Sequence, residues 1–295
     1  MPWSHNPTEA LPQPQTLAAG NRILSLEKPL VMGILNLTPD SFYSGSRLPS
    51  VEAALQQAEQ MLAEGAAILD VGGYSSRPQA TDIAPEEELQ RVIPVIDALR
   101  VRFPEAVLSV DTFRATVAEA ALDAGAHWVN DISGGEADGR MFDLVARRQA
   151  TYVLMHMRGT PQTMTTLTEY DDLLHEILQY FQKKIAQLRA LGQKDIILDV
   201  GFGFAKNPAQ NFGLLGHLPY FEALGLPMLV GISRKSMIYK TLQTTPEASL
   251  NGTTVLNTIA LLQNAAILRV HDVRQAVECI ELVANLKQQT KKLNL

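Results

Sequence analysis

The sequence predicts a single (β/α)8 barrel, a TIM barrel in the α/β class, and three observations support it. Eight short apolar runs alternate with eight longer amphipathic stretches. Most of the apolar runs are continuous, as is typical of parallel strands covered on both faces. Every run also ends in, or is soon followed by, a polar or charged residue, and eight strand–helix units are the number that closes such a barrel. A doubly wound open sheet, the main alternative, would favour a glycine-rich first turn, and no GxGxxG occurs.

The elements follow one another in regular order. Residues 1–29 are rich in proline and are expected to form an extended N-terminal arm before a barrel domain of residues 30–290. Strands are predicted at 30–36, 67–71, 107–111, 128–132, 152–156, 196–200, 228–232 and 266–270. Helices are predicted at 50–64, 85–101, 113–124, 139–149, 169–191, 208–217, 247–264 and 272–290. Gly65, Gly125 and Gly192 each follow a helical stretch, where glycine ends helices.

Composition and charge narrow the classes of function. The chain has 295 residues and is 46% hydrophobic, enough for one large core. Its net charge of −6 argues against a general nucleic-acid binder, because no basic field is available to displace phosphate counterions. The single cysteine, Cys279, excludes an intrachain disulfide framework and a cysteine zinc site. No apolar run reaches the ~18 residues that a membrane helix needs, so we expect a cytoplasmic protein with no membrane partner.

Polar residues at the strand ends indicate an active site. They are Asn36, Asp70, Asp111, Asn130, His156, Asp199, the pair Arg234 and Lys235, and the pair Arg269 and His271. In a barrel these ends converge on the C-terminal face, where the βα loops build the site. Asp131 follows Asn130 directly, and the pattern alone does not decide which of the two points inward. The loops at 38–50 and 73–85 are long for βα connections, and we expect them to act as lids.

Eight motifs occur in a fixed order. They are MGILNLTPDSF at 32–42, GAAILDVGGYSSRP at 65–78, SVDTF at 109–113, VNDISGG at 129–135, VLMHMRG at 153–159, LDVGFGFAKN at 198–207, GISRKS at 231–236 and RVHDV at 269–273. In these motifs, which span about residues 30–275, the chain resembles the dihydropteroate synthase family of folate biosynthesis. The resemblance implies condensation of 6-hydroxymethyl-7,8-dihydropterin pyrophosphate with 4-aminobenzoate, giving 7,8-dihydropteroate and pyrophosphate. It also implies Mg²⁺ as cofactor, small-molecule substrates and a homodimer formed through the late helices.

The resemblance assigns roles to individual residues. The pterin ligands are Asp111, Asn130, Met155, Asp199 and Lys235. The phosphate ligands are Asn36, Ser76, Arg269 and His271, and Asn36 is also the Mg²⁺ ligand. The 4-aminobenzoate subsite is formed by Arg77, Pro78, Phe204, Lys235 and Ser236. The resemblance names Lys235, Arg269, His271 and Asp111 as catalytic.

The chemistry of these residue types agrees with that assignment. A carboxylate can accept two parallel N–H bonds from the amino-amidine edge of a pterin, and an asparagine amide both donates and accepts. Departing pyrophosphate develops negative charge, which fixed cations stabilise. Arg269 and His271 lie two apart on an extended segment, so both side chains can lean to the same side. The implied mechanism is SN1-like, in which pyrophosphate leaves before the amine attacks.

The sequence departs from the family pattern at several motif positions, and the loop at 38–50 reads YSGSR where an Asp-Gly-Gly type is more usual. Tyr74 stands where an acidic residue is frequent, Ser76 where threonine is frequent, and Val200 where proline is usual. Two alternative functions are a pterin-binding methyltransferase barrel and a pterin-binding paralogue without turnover. The SRKS and RVH motifs favour the synthase over both.

Overall fold

A computed structural model describes residues 15–37, 51–77 and 82–293 of the chain. The strands are β1 (Thr16–Ala19), β2 (Arg22–Ser25), β3 (Leu30–Asn36), β4 (Ile68–Gly72), β5 (Val107–Asp111), β6 (Trp128–Asp131), β7 (Thr151–Met155), β8 (Ile196–Asp199), β9 (Met228–Val230) and β10 (Ile267–Val270). The helices are α1 (Val51–Ala63), α2 (Pro85–Arg102), α3 (Ala115–Asp123), α4 (Met141–Arg148), α5 (Leu173–Ala190), α6 (Pro208–Gly216), α7 (Ser236–Thr241), α8 (Leu250–Leu262) and α9 (Val273–Leu293).

Strands β3 to β10 close into a barrel in the order β10-β3-β4-β5-β6-β7-β8-β9, and each pair of neighbours is parallel. The predicted (β/α)8 fold is therefore confirmed. Strands such as β4 and β7 are buried along their whole length, because helices cover their outer faces and side chains fill the interior. This burial explains why the sequence shows continuous apolar runs.

The helix boundaries agree with the predicted ones to within a few residues, with two substantive differences. Helix α5 begins at Leu173 rather than 169, because the Asp172 carboxylate accepts the backbone N–H of His175 and caps the helix there. Between β9 and α8 the chain forms the short helix α7, which the pattern of predicted helices did not include. Gly65 and Gly125 have φ of 103° and 104°, a backbone conformation that residues with a side chain rarely adopt. This confirms that the two glycines end helices.

Hydrogen-bond register places several strand ends in one row. Asn36 pairs with Gly72, Gly72 with Asp111, and Asp111 with Asn130. On the far side of the barrel Met155 pairs with Asp199. The register therefore gathers polar residues from four strands at the C-terminal face, as the strand-end pattern predicted.

A hairpin closes the opposite end of the barrel. Strands β1 and β2 pair antiparallel around a tight turn in which Gly20 has φ of 64°. Leu17 and Ala19 are fully buried among barrel residues that include Trp128. The Trp128 indole N–H donates to the carbonyl of Ala18 at 2.8 Å, and the Thr151 hydroxyl donates to the same oxygen at 2.7 Å.

This hairpin corrects part of the prediction for the N-terminus. Residues 1–29 were expected to be an extended arm, whereas residues 16–25 form a hairpin and pack onto the barrel. Each of its strands has only four residues, so alternation was too short to identify them. The remaining part of the predicted arm, residues 1–14, lies outside the described residues. Among the described helices, none combines the length and the apolar composition needed to cross a bilayer.

We predict that the hairpin contributes directly to stability. Leu17→Ala should lower the free energy of unfolding by about 2–5 kcal/mol, because it leaves a cavity in the lower core. Ile23→Ala on the same hairpin is the matched control, because Ile23 is 72% exposed. Thermal and denaturant unfolding of the two variants will measure the difference. Equal stability of both variants would contradict a structural role for the hairpin.

Candidate active site

An arginine held between two carboxylates lies at the centre of the C-terminal face. Arg269 from β10 donates from Nε to Asp70 Oδ2 and from Nη2 to Asp111 Oδ2, both at 2.6 Å. Asn130 donates from Nδ2 to the same oxygen of Asp70 at 2.8 Å. Residues from β4, β5, β6 and β10 are therefore joined in one hydrogen-bonded network.

Burial sets the electrostatics of this network. Burial raises the pKa of Asp111; the guanidinium of Arg269 opposes that rise, and Asp70 adds to it. Burial also disfavours the charged form of Arg269, but the two carboxylates outweigh it and raise the pKa of Arg269 further above its usual range. The second oxygen of Asp70, Oδ1, is buried without a hydrogen-bond partner. The network thus holds a permanent cation between two carboxylates, and burial raises the pKa of one of them, Asp111.

The structure resolves the ambiguity between Asn130 and Asp131. Asn130 belongs to the network described above, whereas Asp131 holds the chain that follows β6. The Asp131 carboxylate accepts the N–H and the hydroxyl of Ser133, both at 2.7 Å, the N–H of Gly135 at 2.9 Å and the hydroxyl of Tyr152 at 2.7 Å. These bonds use the acceptor capacity of the Asp131 carboxylate to hold the loop after β6. Only Asn130 therefore lies with the site residues.

Asp199 and Lys235 approach the network from the other side of the barrel. A Cβ atom at Gly231 would lie 3.9 Å from Asp199 Oδ2, 3.9 Å from Arg269 Cβ and 4.0 Å from Lys235 Nζ. Three charged side chains therefore surround one glycine. Burial raises the pKa of Asp199, opposed by Lys235, and burial lowers the pKa of Lys235 to about 8, opposed by Asp199.

An apolar cluster adjoins these charges. Its buried members are Ile132, Met155, Met157, Met164, Phe204 and Ala205. The ammonium of Lys235 lies 4.7 Å from the centroid of the Phe204 ring, within range of a cation–π contact. Lys235 also donates to the carbonyl of Phe202 at 2.5 Å. Met155 and Phe204 therefore form an apolar wall beside a cation, a surface suited to a flat aromatic ligand.

His271 is fixed through its backbone and its ring. The His271 N–H donates to Ser233 Oγ at 3.2 Å, and the Ser233 hydroxyl lies 3.0 Å from His271 Nδ1. Desolvation lowers the pKa of His271, and the nearby guanidinium of Arg269 lowers it further. A neutral ring that accepts at Nδ1 carries its proton on Nε2, which can donate to an anion.

Arg234, one of the polar residues at the end of the seventh barrel strand, has a structural role instead. It adopts φ of 55° and forms two hydrogen bonds to Asp272, from Nε at 2.8 Å and from Nη2 at 2.7 Å. It also donates to the carbonyl of Glu247 at 2.8 Å. These contacts tie the start of α7 to the start of α9 and place Lys235 and Ser236, the first residue of α7.

The remaining predicted residues lie at the rim or outside the described part. Asn36 ends β3, and its Oδ1 lies 3.7 Å from the position of a Cβ on Gly72. Ser76 is half-buried and Arg77 is exposed; Arg77 lies close enough to His271 to lower its pKa. Pro78 and the first predicted lid, residues 38–50, lie outside the described residues, as do residues 78–81 of the second.

The residues near Asn36 fit a Mg²⁺ ion that is bound mainly by the phosphate oxygens of a substrate. Within the described ranges, no group of three or more His, Cys, Asp or Glu side chains could hold a metal ion by itself. Asn36 offers a single amide oxygen. Mg²⁺ usually keeps several waters and uses one or two protein groups together with phosphate oxygens, so one such oxygen is compatible with it.

The structure adds two site residues that sequence reasoning did not assign. Asp70 was noted as a strand-end residue but was given no role, although it holds both Arg269 and Asn130. Lys206 was not singled out, although its ammonium is buried and lies beneath the loop that carries Phe204. Strand-end position was an available signal for Asp70, whereas nothing in the local pattern marked Lys206 as buried.

Tyr74, a departure from the family pattern, is accommodated by packing. It is buried and contacts the Phe113 ring edge-on, with 4.9 Å between the ring centroids. Its hydroxyl accepts from the Gln162 amide at 2.9 Å, and the Arg114 guanidinium lies 5.3 Å from its ring centroid. The tyrosine thus connects the loops after β4, β5 and β7.

Comparison with known proteins identifies the family. The model of the pterin binding enzyme family matches residues 32–271. The dihydropteroate synthase of Escherichia coli (strain K12) is 44% identical over 269 residues, covering 90% of this chain and 95% of that protein.

Two solved structures are also similar. The Yersinia pestis dihydropteroate synthase in a sulfonamide drug complex has a TM-score of 0.87 and 42% identity, covering 92% of this chain and 99% of that one. The Xanthomonas albilineans dihydropteroate synthase with 4-aminobenzoic acid has a TM-score of 0.86 and 39% identity, covering 92% and 98%. The chain therefore belongs to the dihydropteroate synthase family of pterin binding enzymes.

Proposed function

We propose that this chain condenses 6-hydroxymethyl-7,8-dihydropterin pyrophosphate with 4-aminobenzoate to form 7,8-dihydropteroate and pyrophosphate. The observation that carries the proposal is the convergence of Asp111, Asn130 and Asp199 with Lys235 and Arg269 at one face of the barrel. Carboxylates and an amide suit the polar edge of a pterin, and the two cations suit the charge that develops on the leaving group.

The pterin half of the substrate is assigned to the interior of the face. Asp111, Asn130 and Asp199 supply acceptors and an amide donor, Lys235 supplies a cation, and Met155 supplies an apolar surface. Both Asp111 and Asp199 have raised pKa values because they are buried, so their carboxylates gain from N–H donors that replace water. A ring with an amino-amidine edge provides such donors.

The pyrophosphate half is assigned to Arg269, His271, Ser76 and Asn36. Arg269 Nη2 donates to Asp111 Oδ2 within the protein. Substrate binding would let Asp111 accept from the pterin while Arg269 turns part of its guanidinium to phosphate oxygens. Asp70 keeps Nε of Arg269 in place during this exchange. Mg²⁺ held at Asn36 would neutralise phosphate charge when bound.

The arylamine half is assigned to Lys235, Phe204, Ser236, Arg77 and Pro78. Lys235 lies beside the Phe204 ring, and Arg77 extends from the rim near His271. This arrangement offers an aromatic wall and cations for the carboxylate of 4-aminobenzoate. Lys235 thus lies between the two halves of the site.

The reaction breaks the carbon–oxygen bond to pyrophosphate and forms a carbon–nitrogen bond to the amine, which releases a proton. In the SN1-like course the electron pair leaves with pyrophosphate, and the cation is delocalised over the pterin. Arg269 and His271 act on the departing charge, and the amine then attacks the exocyclic methylene. The step needs no strong general base because the amine is neutral.

Two further expectations from the sequence stay predictions, namely a cytoplasmic location and a homodimer. An apolar groove between α8 and α9 is lined by residues that include Leu282 and Leu286. These leucines are 73% and 56% exposed, which supports an association through the late helices.

The proposed reaction can be tested directly. Purified protein supplied with the pterin pyrophosphate, 4-aminobenzoate and Mg²⁺ is expected to release pyrophosphate and form 7,8-dihydropteroate in equal amounts. Liquid chromatography and a pyrophosphate assay measure the two products. No 7,8-dihydropteroate above background when all three are supplied would contradict the proposal and favour a binding paralogue. Slow pyrophosphate release without 4-aminobenzoate is compatible with the SN1-like course, because water can then trap the cation.

Arg269→Gln should reduce kcat by about 10²–10³-fold, because it removes a fixed positive charge from the leaving group. Glutamine keeps an amide donor toward Asp70 and limits the structural cost. Arg274→Gln is the control, since Arg274 on α9 has a solvent-exposed side chain and pairs with Glu64. Unchanged kcat in the Arg269 variant, with the protein folded, would refute the phosphate assignment.

The activity should depend on pH through Lys235. Its pKa is lowered to about 8, so the ammonium is present below that pH and is lost above it. Activity is therefore expected to fall as pH rises through about 8, and Lys235→Met should be slow and lack this limb. Lys240→Met, at an exposed position on α7, should keep the limb. If the fall in activity above about pH 8 persists in the Lys235 variant, the titration belongs to another group.

A further inference from the structure

The loop that carries Phe204 has an unusual backbone. Residues 201–207 connect β8 to α6, and Gly201, Gly203 and Ala205 have φ of 71°, 79° and 48°. A Cβ at Gly201 would lie 2.0 Å from the carbonyl oxygen of His156, so this position requires glycine. Ala205 is the one non-glycine of the three, and a residue with a side chain keeps this conformation only where surrounding contacts hold it.

Side chains hold this loop in place by donating hydrogen bonds to its backbone carbonyls. Lys206 Nζ donates to Gly201 O and Phe204 O, both at 3.0 Å. Three other side chains donate hydrogen bonds to carbonyls of this loop. Lys235 Nζ donates to Phe202 O at 2.5 Å and Tyr170 Oη to Ala205 O at 2.9 Å. Asn211 Nδ2 donates to Lys206 O at 3.2 Å and to Asn207 O at 2.8 Å. Lys206 is the only one of these groups that spans the loop from its first residue to Phe204.

Lys206 is a buried cation whose donors all have acceptors. It is 7% exposed, and its ammonium lies 3.1 Å from His156 Nδ1 in addition to the two carbonyls. Burial, followed by the charge of Lys206, lowers the pKa of His156 well below its usual value, so the ring is neutral and Nδ1 can accept. Three N–H donors thus meet three acceptors.

We propose that Lys206 is a positioning residue for the arylamine half of the site. Its ammonium folds the loop back on itself, which sets the position of the Phe204 ring and, through the carbonyl of Phe202, the position of Lys235. This inference rests on the proposed function, because it needs Phe204 and Lys235 to contact 4-aminobenzoate. The strand ends that bear Asp111 and Asn130 do not depend on this loop.

The charges around Lys206 make its effect depend on pH. Burial lowers its pKa to about 7; Asp199 opposes this shift, whereas Lys235 and Arg158 add to it. His156 and the hydroxyl of Tyr170 are the other titratable groups at the loop. A neutral amine has two donors, so above about pH 7 the third contact requires His156 to change tautomer. The loop is therefore held most firmly below that pH.

The test is Lys206→Met in the full chain, with steady-state kinetics for each substrate. The KM for 4-aminobenzoate should rise about 10- to 100-fold, the cost of misplacing binding groups by about 1 Å. The KM for the pterin pyrophosphate should rise less, because Asp111 and Asn130 stay in place although Lys235 and Asp199, which contact this loop, serve the pterin as well. Lys184→Met is the matched control, because Lys184 on α5 is also 7% exposed but pairs with Glu136. Lys206→Arg, which keeps charge and donors, should recover part of the loss.

The outcomes are distinguishable. No product from the unmodified protein would refute the proposed function itself. An active protein whose Lys206→Met variant changes neither KM, or raises both equally, overturns the role of Lys206 alone. If the Met variant does not fold, the Arg variant and a pH series decide. In the unmodified protein, the KM for 4-aminobenzoate should increase as pH passes about 7. If the ratio of the KM for 4-aminobenzoate to the KM for the pterin pyrophosphate stays constant across neutral pH, the proposal is overturned.

Discussion

The placement of one guanidinium between two buried carboxylates is the interaction on which the site depends. Asp70 and Asp111 lie on adjacent strands and would repel each other in a desolvated interior without a cation. Arg269 supplies that cation and bonds to both at 2.6 Å. Because the same arginine is the proposed phosphate ligand, the group that makes the acidic site foldable is also the group that would act on the leaving group.

The barrel provides the rigidity that this arrangement needs. Parallel register places Gly72 beside Asp111 and Asp111 beside Asn130, so the spacing of the polar groups is set by backbone hydrogen bonds rather than by loops. The hairpin of residues 16–25 closes the far end with Leu17 and Ala19. The site therefore rests on a core that is packed from below, and only its rim is built from long connections.

Much of this could be predicted from the sequence because burial on both faces leaves a strong signal. Continuous apolar runs predicted the eight strands, and the polar residues at or after their ends predicted which side chains meet at the C-terminal face. The hairpin was missed because its strands have four residues each. The choice between Asn130 and Asp131 depended on the loop after β6, whose N–H groups bind Asp131. The role of Lys206 depended on the conformation of its own loop, which turns the carbonyls of Gly201 and Phe204 toward the ammonium, and on His156, which is distant in the sequence.

The electrostatic argument also explains how an acidic chain can bind two anionic substrates. The net charge of −6 is distributed over the whole molecule, whereas Arg269, Lys235 and Lys206 lie beneath one face. Each of these cations already has partners within the protein, either carboxylates or backbone carbonyls. The desolvation cost of the cations is thus met during folding, and a substrate has only to exchange partners with them. Such a site discriminates by shape and hydrogen-bond pattern, because an anion that cannot replace the contacts Arg269 and Lys235 already make gains little from their charge.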